Sequence, residues 1–234
     1  VNYKNNNEGN AGVKEYSLRE IKHAKTKIAI MNAFIKRLEK TRFDDISIRE
    51  ICRSVEVSEG TFFNYFPEKI DIINYYTNLM FIEVIWKARQ DVPEGEYLVL
   101  INAFFARIAE EMLAYDNIVY QIISLTIIQR ERPKTVAISN LEREIYFPNY
   151  EGIRDIQTML VDDFLKECLL KAVKNGELTK DVSINDVLVS LTTILVGTLL
   201  AIKFSNIKDK SYHYRRQLQF LWNGLGVKKA MRAR

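Results

Sequence analysis

Apolar positions recur at helical spacing along almost the whole chain. Ile30, Ala33, Phe34 and Leu38 stand at offsets 0, 3, 4 and 8, one face of an α-helix. That stripe predicts a helix from about Ser17 to just before Phe43. Ser47-Ile48-Arg49-Glu50 has the form of a capping box, with Glu three residues after Ser, and opens a short helix ending near Ser54. After a tight connection at 55–57, Ser58 can cap a second short helix, which Pro67 stops. A long helix follows over 68–89.

Asp91-Val92-Pro93-Glu94-Gly95 interrupts the pattern. Helices are then expected over 96–115 and 117–131, and a third over 134–146 between Pro133 and Pro148. Gly152 stands near the start of a longer helix reaching Lys174, which Asn175-Gly176 ends. Ser183 can cap a helix over 184–204. Leu218, Leu221, Trp222 and Leu225, at offsets 0, 3, 4 and 7, mark a last helix over 211–226. No alternating run is long enough for a sheet, and no internal repeat occurs. The chain therefore reads as all-α, with about nine helices.

Composition narrows the functional classes. The 234 residues are 47% hydrophobic and 27% charged, enough apolar material for a sizeable core. Two cysteines, Cys52 and Cys168, cannot form a disulfide framework or a cysteine zinc site, and both read as small core residues. Two histidines near opposite ends, His23 and His213, give a metal or catalytic site little to build from, so no metal or cofactor is expected. Phosphate-loop, GxSxG and HExxH patterns are absent, which argues against the enzymes that use them. Asp162-Asp163 is a lone acidic pair on a helix and reads as solvated.

Charge is unevenly distributed. Residues 1–43 hold ten Lys/Arg against four Asp/Glu, and residues 203–234 hold nine against one. Both ends can favour a polyanion, although solvated helix faces give the same count. The Asn-rich start reads as a disordered arm over 1–16, without signal-peptide character. The stretch 187–202 is uncharged, but it is shorter than the roughly 20 residues a span needs and is diluted by Ser190, Thr192, Thr193, Gly197 and Thr198. It reads as a helix buried on most sides, with no membrane partner and a cytoplasmic location.

The most informative stretch is 47–66, SIREICRSVEVSEGTFFNYF. Two two-turn helices joined by a tight turn bury little surface alone. They form a helix-turn-helix when a third helix packs across them, and the first helix can do so. Ile48, Ile51, Cys52, Val57, Phe62 and Phe66 supply apolar contacts. Such units can serve as plain packing elements, or they can place the second short helix in the DNA major groove. Gly60 allows close backbone approach, Thr61 can meet a phosphate or a thymine methyl, and Asn64 can bond an adenine edge. Tyr65 and Lys69 can reach phosphates, as can Ser47 with its helix start and Arg49. Ser58 and Phe62 complete the candidate DNA-binding set.

The stretch from about Lys25 to Tyr76 resembles the N-terminal domain of the tetracycline-repressor (TetR) family of transcription regulators. The resemblance rests on Phe43, Ile46-Ser47-Ile48, Ile51, Val57-Ser58, Gly60-Thr61, Phe63, Tyr65-Phe66 and Lys69, and on the closing Leu221-Trp222-Asn223-Gly224-Leu225. Departures are Arg42 and Glu56 where the family usually has Gly, Cys52 where it often has Ala, and Phe63 where it often has Tyr. A positive φ at Glu56 would cost about 1 kcal/mol. The resemblance implies a homodimeric repressor that binds a palindromic double-stranded operator and is released or tuned by a small ligand.

On that reading residues 17–80 hold the DNA-binding head, residues 81–226 the ligand-binding and dimerisation body, and residues 227–234 a basic tail. Phe104, Phe105, Tyr115, Tyr120, Met159 and Phe164 lie on helices that surround a pocket in the family, although aromatic residues at helical spacing are also ordinary core. The few charges over 97–129 favour an apolar or amphipathic ligand. The helix over 184–204 is apolar nearly all round and needs cover on several sides. Leu188, Leu191, Leu195 and Leu199, with Leu218, Leu221, Trp222 and Leu225 of the last helix, are the candidate dimer interface, two helices from each chain forming a four-helix bundle. The competing reading is a dimeric small-molecule carrier with a non-functional head.

Overall fold

The computed structural model describes residues 16–114, 116–129, 133–205 and 209–227. The expected N-terminal arm, but for Tyr16, and the basic tail beyond Val227 lie outside the described residues. Within them are ten α-helices and no strand, in agreement with the all-α expectation. The helices are α1 (Leu18–Leu38), α2 (Ile48–Ser54), α3 (Glu59–Tyr65), α4 (Lys69–Gln90), α5 (Tyr97–Ala114), α6 (Asp116–Gln129), α7 (Asn140–Tyr146), α8 (Val161–Lys174), α9 (Ile184–Ser205) and α10 (Lys210–Gly224). Two 3-10 turns, Phe43–Asp45 and Ile153–Asp155, complete the described elements.

Local chemistry sets the helix ends. Ser17 and Glu20 make a full capping box at α1: the Ser17 hydroxyl accepts from the Glu20 N–H, and the Glu20 carboxylate accepts from the Ser17 N–H. At α2 only half of the expected box forms. Ser47 Oγ accepts from the Glu50 N–H, but the Glu50 carboxylate turns instead to Arg37, 3.6 Å away. The α2 C-terminus closes with two reversed hydrogen bonds, Glu56 N–H to the Arg53 carbonyl and Val57 N–H to the Cys52 carbonyl. This closure needs a left-handed residue at Glu56, whose φ is 57°. Gly176, at φ 75°, closes α8 in the same way.

Two expected helices are shorter than their sequence pattern suggests. In place of a helix over 134–146, residues 133–139 are irregular and only α7 forms. Asn78 Nδ2 donates to the Lys134 carbonyl and Asn74 Oδ1 accepts from the Lys134 N–H, so α4 holds that backbone in a non-helical path. The helix expected from Gly152 to Lys174 begins only at Val161. The buried Arg143 guanidinium explains the delay. It donates to the carbonyls of Ile153, Arg154 and Ile156, drawing them toward one side chain and so out of a regular helical path, and to the Thr158 hydroxyl at 2.7 Å.

One continuous apolar core joins the two ends. Around α1–α4 it contains Phe34, Phe62, Phe66 and Tyr75, with ring centroids of Phe62 and Phe66 at 6.1 Å and of Phe66 and Tyr75 at 5.7 Å. Farther on, α5 is enclosed by α4, α8 and α10. Tyr214 donates to the Leu195 carbonyl at 2.6 Å, and Trp222 Nε1 donates to Asn102 Oδ1 at 2.8 Å. Trp86 of α4 donates to the Glu151 carbonyl at 2.7 Å and packs its ring against Tyr150.

Helix α9 departs from expectation. Its 22 residues are long and apolar enough to cross a bilayer by length and composition alone, and only 28% of its most apolar window is buried within the chain. Val187, Leu191, Thr198, Leu199 and Ile202 face inward, while Val189 and Phe204 are 64% and 84% exposed. The helix is covered on one side rather than most.

Candidate functional site

Helices α2 and α3 are too short to persist alone, and α1 and α4 hold them by burial. Ile51, Cys52 and Phe62 face inward against Ile30, Phe34 and Phe66. Phe62, fully buried, is therefore a core residue and is removed from the candidate DNA contacts. Its neighbour Phe63 is 46% exposed and takes the outward position. The outward face of α3 is made by Glu59, Gly60, Phe63 and Asn64, at offsets 0, 1, 4 and 5.

The remaining candidates divide by their local bonds. Ser58 Oγ caps α3 by accepting from the Thr61 N–H at 3.0 Å, and the two hydroxyls lie 2.9 Å apart. Both side chains therefore position α3 as well as bordering its exposed face. Tyr65 is half-buried with its ring 4.5 Å from that of His23 on α1. Lys69 Nζ donates to the Asp44 carbonyl at 3.2 Å and lies over the Phe43 ring, so it also braces the 3-10 turn. Burial lowers its pKa, with Asp44 and Asp45 opposing. Ser47 and Arg49 are exposed beside Arg53, a cation the sequence reading passed over. Arg53 lies within the 47–66 stretch but on no apolar stripe, so only its exposure marks it.

The cavities lie elsewhere than the aromatic candidates suggest. An apolar cavity of about 110 Å³ is walled by Met80, Val84, Ile108, Val119, Ile123 and Leu195, from α4, α5, α6 and α9. A more polar cleft of about 250 Å³ adjoins it, sharing Thr77 and Ile122, with Glu68, Asn74 and Lys134 on its far side. Thr77 is 4% exposed and its hydroxyl has no hydrogen-bond partner, so a polar atom without a protein partner borders both spaces.

None of the five described aromatic and Met candidates lines either space. Phe104, Phe105 and Phe164 are core: Phe104 packs on Phe164 at 4.9 Å and Phe105 on Tyr214 at 5.8 Å. Tyr120 donates weakly to the Leu199 carbonyl at 3.5 Å and lies under Lys203. Met159 is half-buried against the core, and Tyr115 lies outside the described residues. Cavity lining by aliphatic side chains has no periodic signature distinct from core, which is why the sequence did not show it.

The candidate interface residues also divide. Leu191, Leu199, Leu218 and Trp222 are buried within the single chain and are corrected to core. Leu188, Leu195, Leu221 and Leu225 are half-buried. The exposed apolar positions are instead Val189 and Phe204 on α9 and Tyr212 and Phe220 on α10. Both cysteines are buried. Burial pushes the Cys168 thiol up to about 12, and burial together with Glu59 raises that of Cys52. Among the described residues no group of three or more His, Cys, Asp or Glu is placed to hold a metal.

No protein-family model matches the chain. An uncharacterized HTH-type transcriptional regulator of Bacillus subtilis (strain 168), YuxN, is 26% identical over 86 residues, 35% of this chain. The chain spans 30% of the length of that relative. Among solved structures, the TetR transcriptional regulator SCO0520 from Streptomyces coelicolor is 16% identical with a TM-score of 0.45, covering 85% of this chain and 97% of that one. Salmonella enterica GusR is 18% identical with a TM-score of 0.52, covering 86% of this chain and 96% of that one. The chain has a TetR-type fold.

Within the TetR-type fold, the departures at Arg42 and Glu56 have separate outcomes. Arg42 adopts an ordinary extended backbone, φ −64° and ψ 147°, so it carries no strain. Glu56 does occupy the left-handed region, where a non-glycine residue costs about 1 kcal/mol. The inter-helix geometry is thus kept, with strain at one residue.

Proposed function

We propose that this chain is a sequence-specific DNA-binding transcription regulator, acting as a repressor. The observation that carries the reading is the outward face of α3: Glu59, Gly60, Phe63 and Asn64 are exposed together on a helix held from behind by Phe62 and capped by Ser58. A helix so presented suits the major groove, with Ser47, Arg49, Arg53, Tyr65 and Lys69 around it for phosphates. Residues 17–80 form the DNA-binding head and residues 81–226 the body, with α4 running through both.

The protein works as a cytoplasmic homodimer. The exposed Val189 and Phe204 of α9, with Tyr212 and Phe220 of α10, support self-association, because exposed apolar side chains gain from cover and a two-fold partner supplies the same surface in return. A small apolar or amphipathic ligand occupies the cavity between α4, α5, α6 and α9, its polar end toward Thr77. Ligand and operator then oppose each other through a coupling free energy, typically about 1–3 kcal/mol.

Selection of bound duplexes from random DNA, followed by affinity against salt, tests the reading. An enriched palindrome with a steep salt slope is expected. Weak, sequence-blind binding would leave the alternative, a dimeric small-molecule carrier whose head no longer reads DNA.

A further inference from the structure

Two spaces meet at Thr77. The apolar cavity of about 110 Å³ lies on one side and the polar cleft of about 250 Å³ on the other, and Thr77 and Ile122 border both. A threonine inside a helix commonly returns its hydroxyl to the carbonyl four residues back. Thr126, across the cleft on α6, does so, donating to the Ile122 carbonyl at 2.9 Å. Thr77 does not: its hydroxyl has no hydrogen-bond partner, although the residue is only 4% exposed. Buried polar atoms are nearly always paired, so a hydroxyl that finds no partner in the protein is suited to one in a bound molecule.

The polar groups around Thr77 divide by what they already hold. The Glu68 carboxylate accepts from the Asp71 N–H and so caps α4. Asn74 is buried and accepts at Oδ1 from the Lys134 N–H at 3.3 Å, which fixes the amide and leaves Nδ2, a donor with no hydrogen bond to a described residue. Lys134 is the one cation among the described residues that line the cleft. Along the apolar cavity the one charge is Glu111, and Lys87 answers it at 2.9 Å. Lys87 follows Thr77 on α4 by nearly three turns, about 15 Å along the axis, so Glu111 marks the far end. Both carboxylates therefore have partners. The groups gathered at the Thr77 end are a hydroxyl, an amide NH₂ and an ammonium, each able to donate.

We infer that the molecule bound here is a small monocarboxylic acid, its carboxylate in the cleft against Thr77, Asn74 and Lys134 and its hydrocarbon body in the apolar cavity. This rests on the ligand-binding reading above and deepens it by naming the chemical class. An ionised carboxylate only accepts, which matches three donors, and hydrogen bonds to an ionised acceptor are about twice as strong as neutral ones. An amine head would instead set donors against donors and an ammonium beside Lys134. Size limits the body: a cavity of roughly 150 Å³ holds benzene, so this one takes a chain or ring of no more than about six carbons. A second carboxylate at the far end would meet Glu111, which excludes dicarboxylic acids of that length.

The test is calorimetric titration of the full chain at pH 7, without DNA, against hexanoate, hexan-1-ol and hexylamine, one body with three heads. Hexanoate is expected to bind about 10-fold tighter than either of the others. Thr77→Val keeps the shape of the side chain and removes the hydroxyl. It should weaken hexanoate about 10-fold without lowering the urea midpoint, because that hydroxyl has no protein partner to lose. Lys134→Gln, at an exposed position, should weaken hexanoate and leave hexan-1-ol unchanged. Equal affinity for the three compounds, tighter binding of hexylamine, or no binding of any would overturn the assignment, and the comparison among compounds needs no variant to fold. Since DNA is absent, the result stands whatever duplex selection shows. Hexanoate that binds but leaves affinity for the selected duplex unchanged would support the acid site and defeat the ligand-controlled reading.

Discussion

Tyr75 donates its hydroxyl to Glu142 at 3.0 Å, joining the first third of α4 to α7 inside the protein. Lys27 of α1 completes the contact, its ammonium 2.7 Å from the same carboxylate oxygen and 4.2 Å from the centre of the Tyr75 ring. Three helices that are distant in sequence therefore meet on one buried carboxylate. Glu142→Ala leaves the Lys27 charge largely buried without its partner, and should cost about 3 kcal/mol. Urea denaturation of the variant measures this, and a loss below about 1 kcal/mol would contradict the arrangement.

The same carboxylate predicts a pH response. Burial raises the Glu142 pKa, but Lys27 and Ser139 together outweigh burial and hold it below the usual value. The folded chain then binds fewer protons here than the unfolded chain does. Its contribution to stability is fully present above the ordinary carboxylate value and is lost as pH falls through the lowered one. The urea midpoint should fall as pH drops below about 4.5. Glu142→Gln should flatten that slope, and an unchanged slope would count against the assignment.

Phe62 and Phe63 should separate stability from recognition. Phe62→Ala opens a hole in the core and should cost about 3–5 kcal/mol of folding stability. Phe63→Ala should leave the unfolding midpoint nearly unchanged but weaken DNA binding, most at a position where the selected duplex carries thymine, whose methyl an exposed phenyl can meet. Equal stability losses in the two variants would refute the assignment of faces.

Glu59 is exposed on the same face as Asn64, and a carboxylate there can accept from the cytosine amino group. The enriched half-site should contain a C·G pair that Glu59→Gln ceases to discriminate, by about 1–3 kcal/mol. Non-specific affinity should rise in that variant, because a charge repelling phosphates has gone. Selection repeated with the variant gives the answer. An identical motif would remove Glu59 from base reading.

The left-handed conformation of Glu56 makes a further stability prediction. Glu56→Gly relieves about 1 kcal/mol of strain, partly offset by the greater freedom of glycine in the unfolded chain. A net gain of about 0.5 kcal/mol is expected. A clear loss would show that the Glu56 side chain contributes to the fold.

The helix pattern was legible wherever a single apolar stripe met a capping residue, as at Ser17, Ser58 and Asn175-Gly176. It misled where a partner distant in sequence claimed the backbone. Arg143 draws carbonyls out of the helical path that would run back toward Gly152, and Asn74 with Asn78 holds Lys134 out of one. Neither competition leaves a periodic trace. The outward face of α3 was legible in part, because Gly60 and Asn64 sit in a recognisable register. Phe62 reads both as an apolar contact of the unit and as a DNA contact, and only its full burial decides for the first and leaves the outward position to Phe63. The assignment of Leu191 and Leu199 to an interface failed for a related reason. A helix apolar all round says that several sides need cover, but not which one its own chain covers.

The two tryptophans sit at different depths, Trp222 buried against Asn102 and Trp86 half-buried against Tyr150. The molecule therefore carries two native fluorophores with unlike emission. Trp222, screened from solvent, should emit at shorter wavelength and resist iodide quenching, while Trp86 should emit further to the red and be quenched more readily. Replacing either one with Phe leaves a single optical reporter, one for the α5–α10 packing and one for α4. Stopped-flow traces from the two variants would show whether those regions melt in one kinetic phase or in succession.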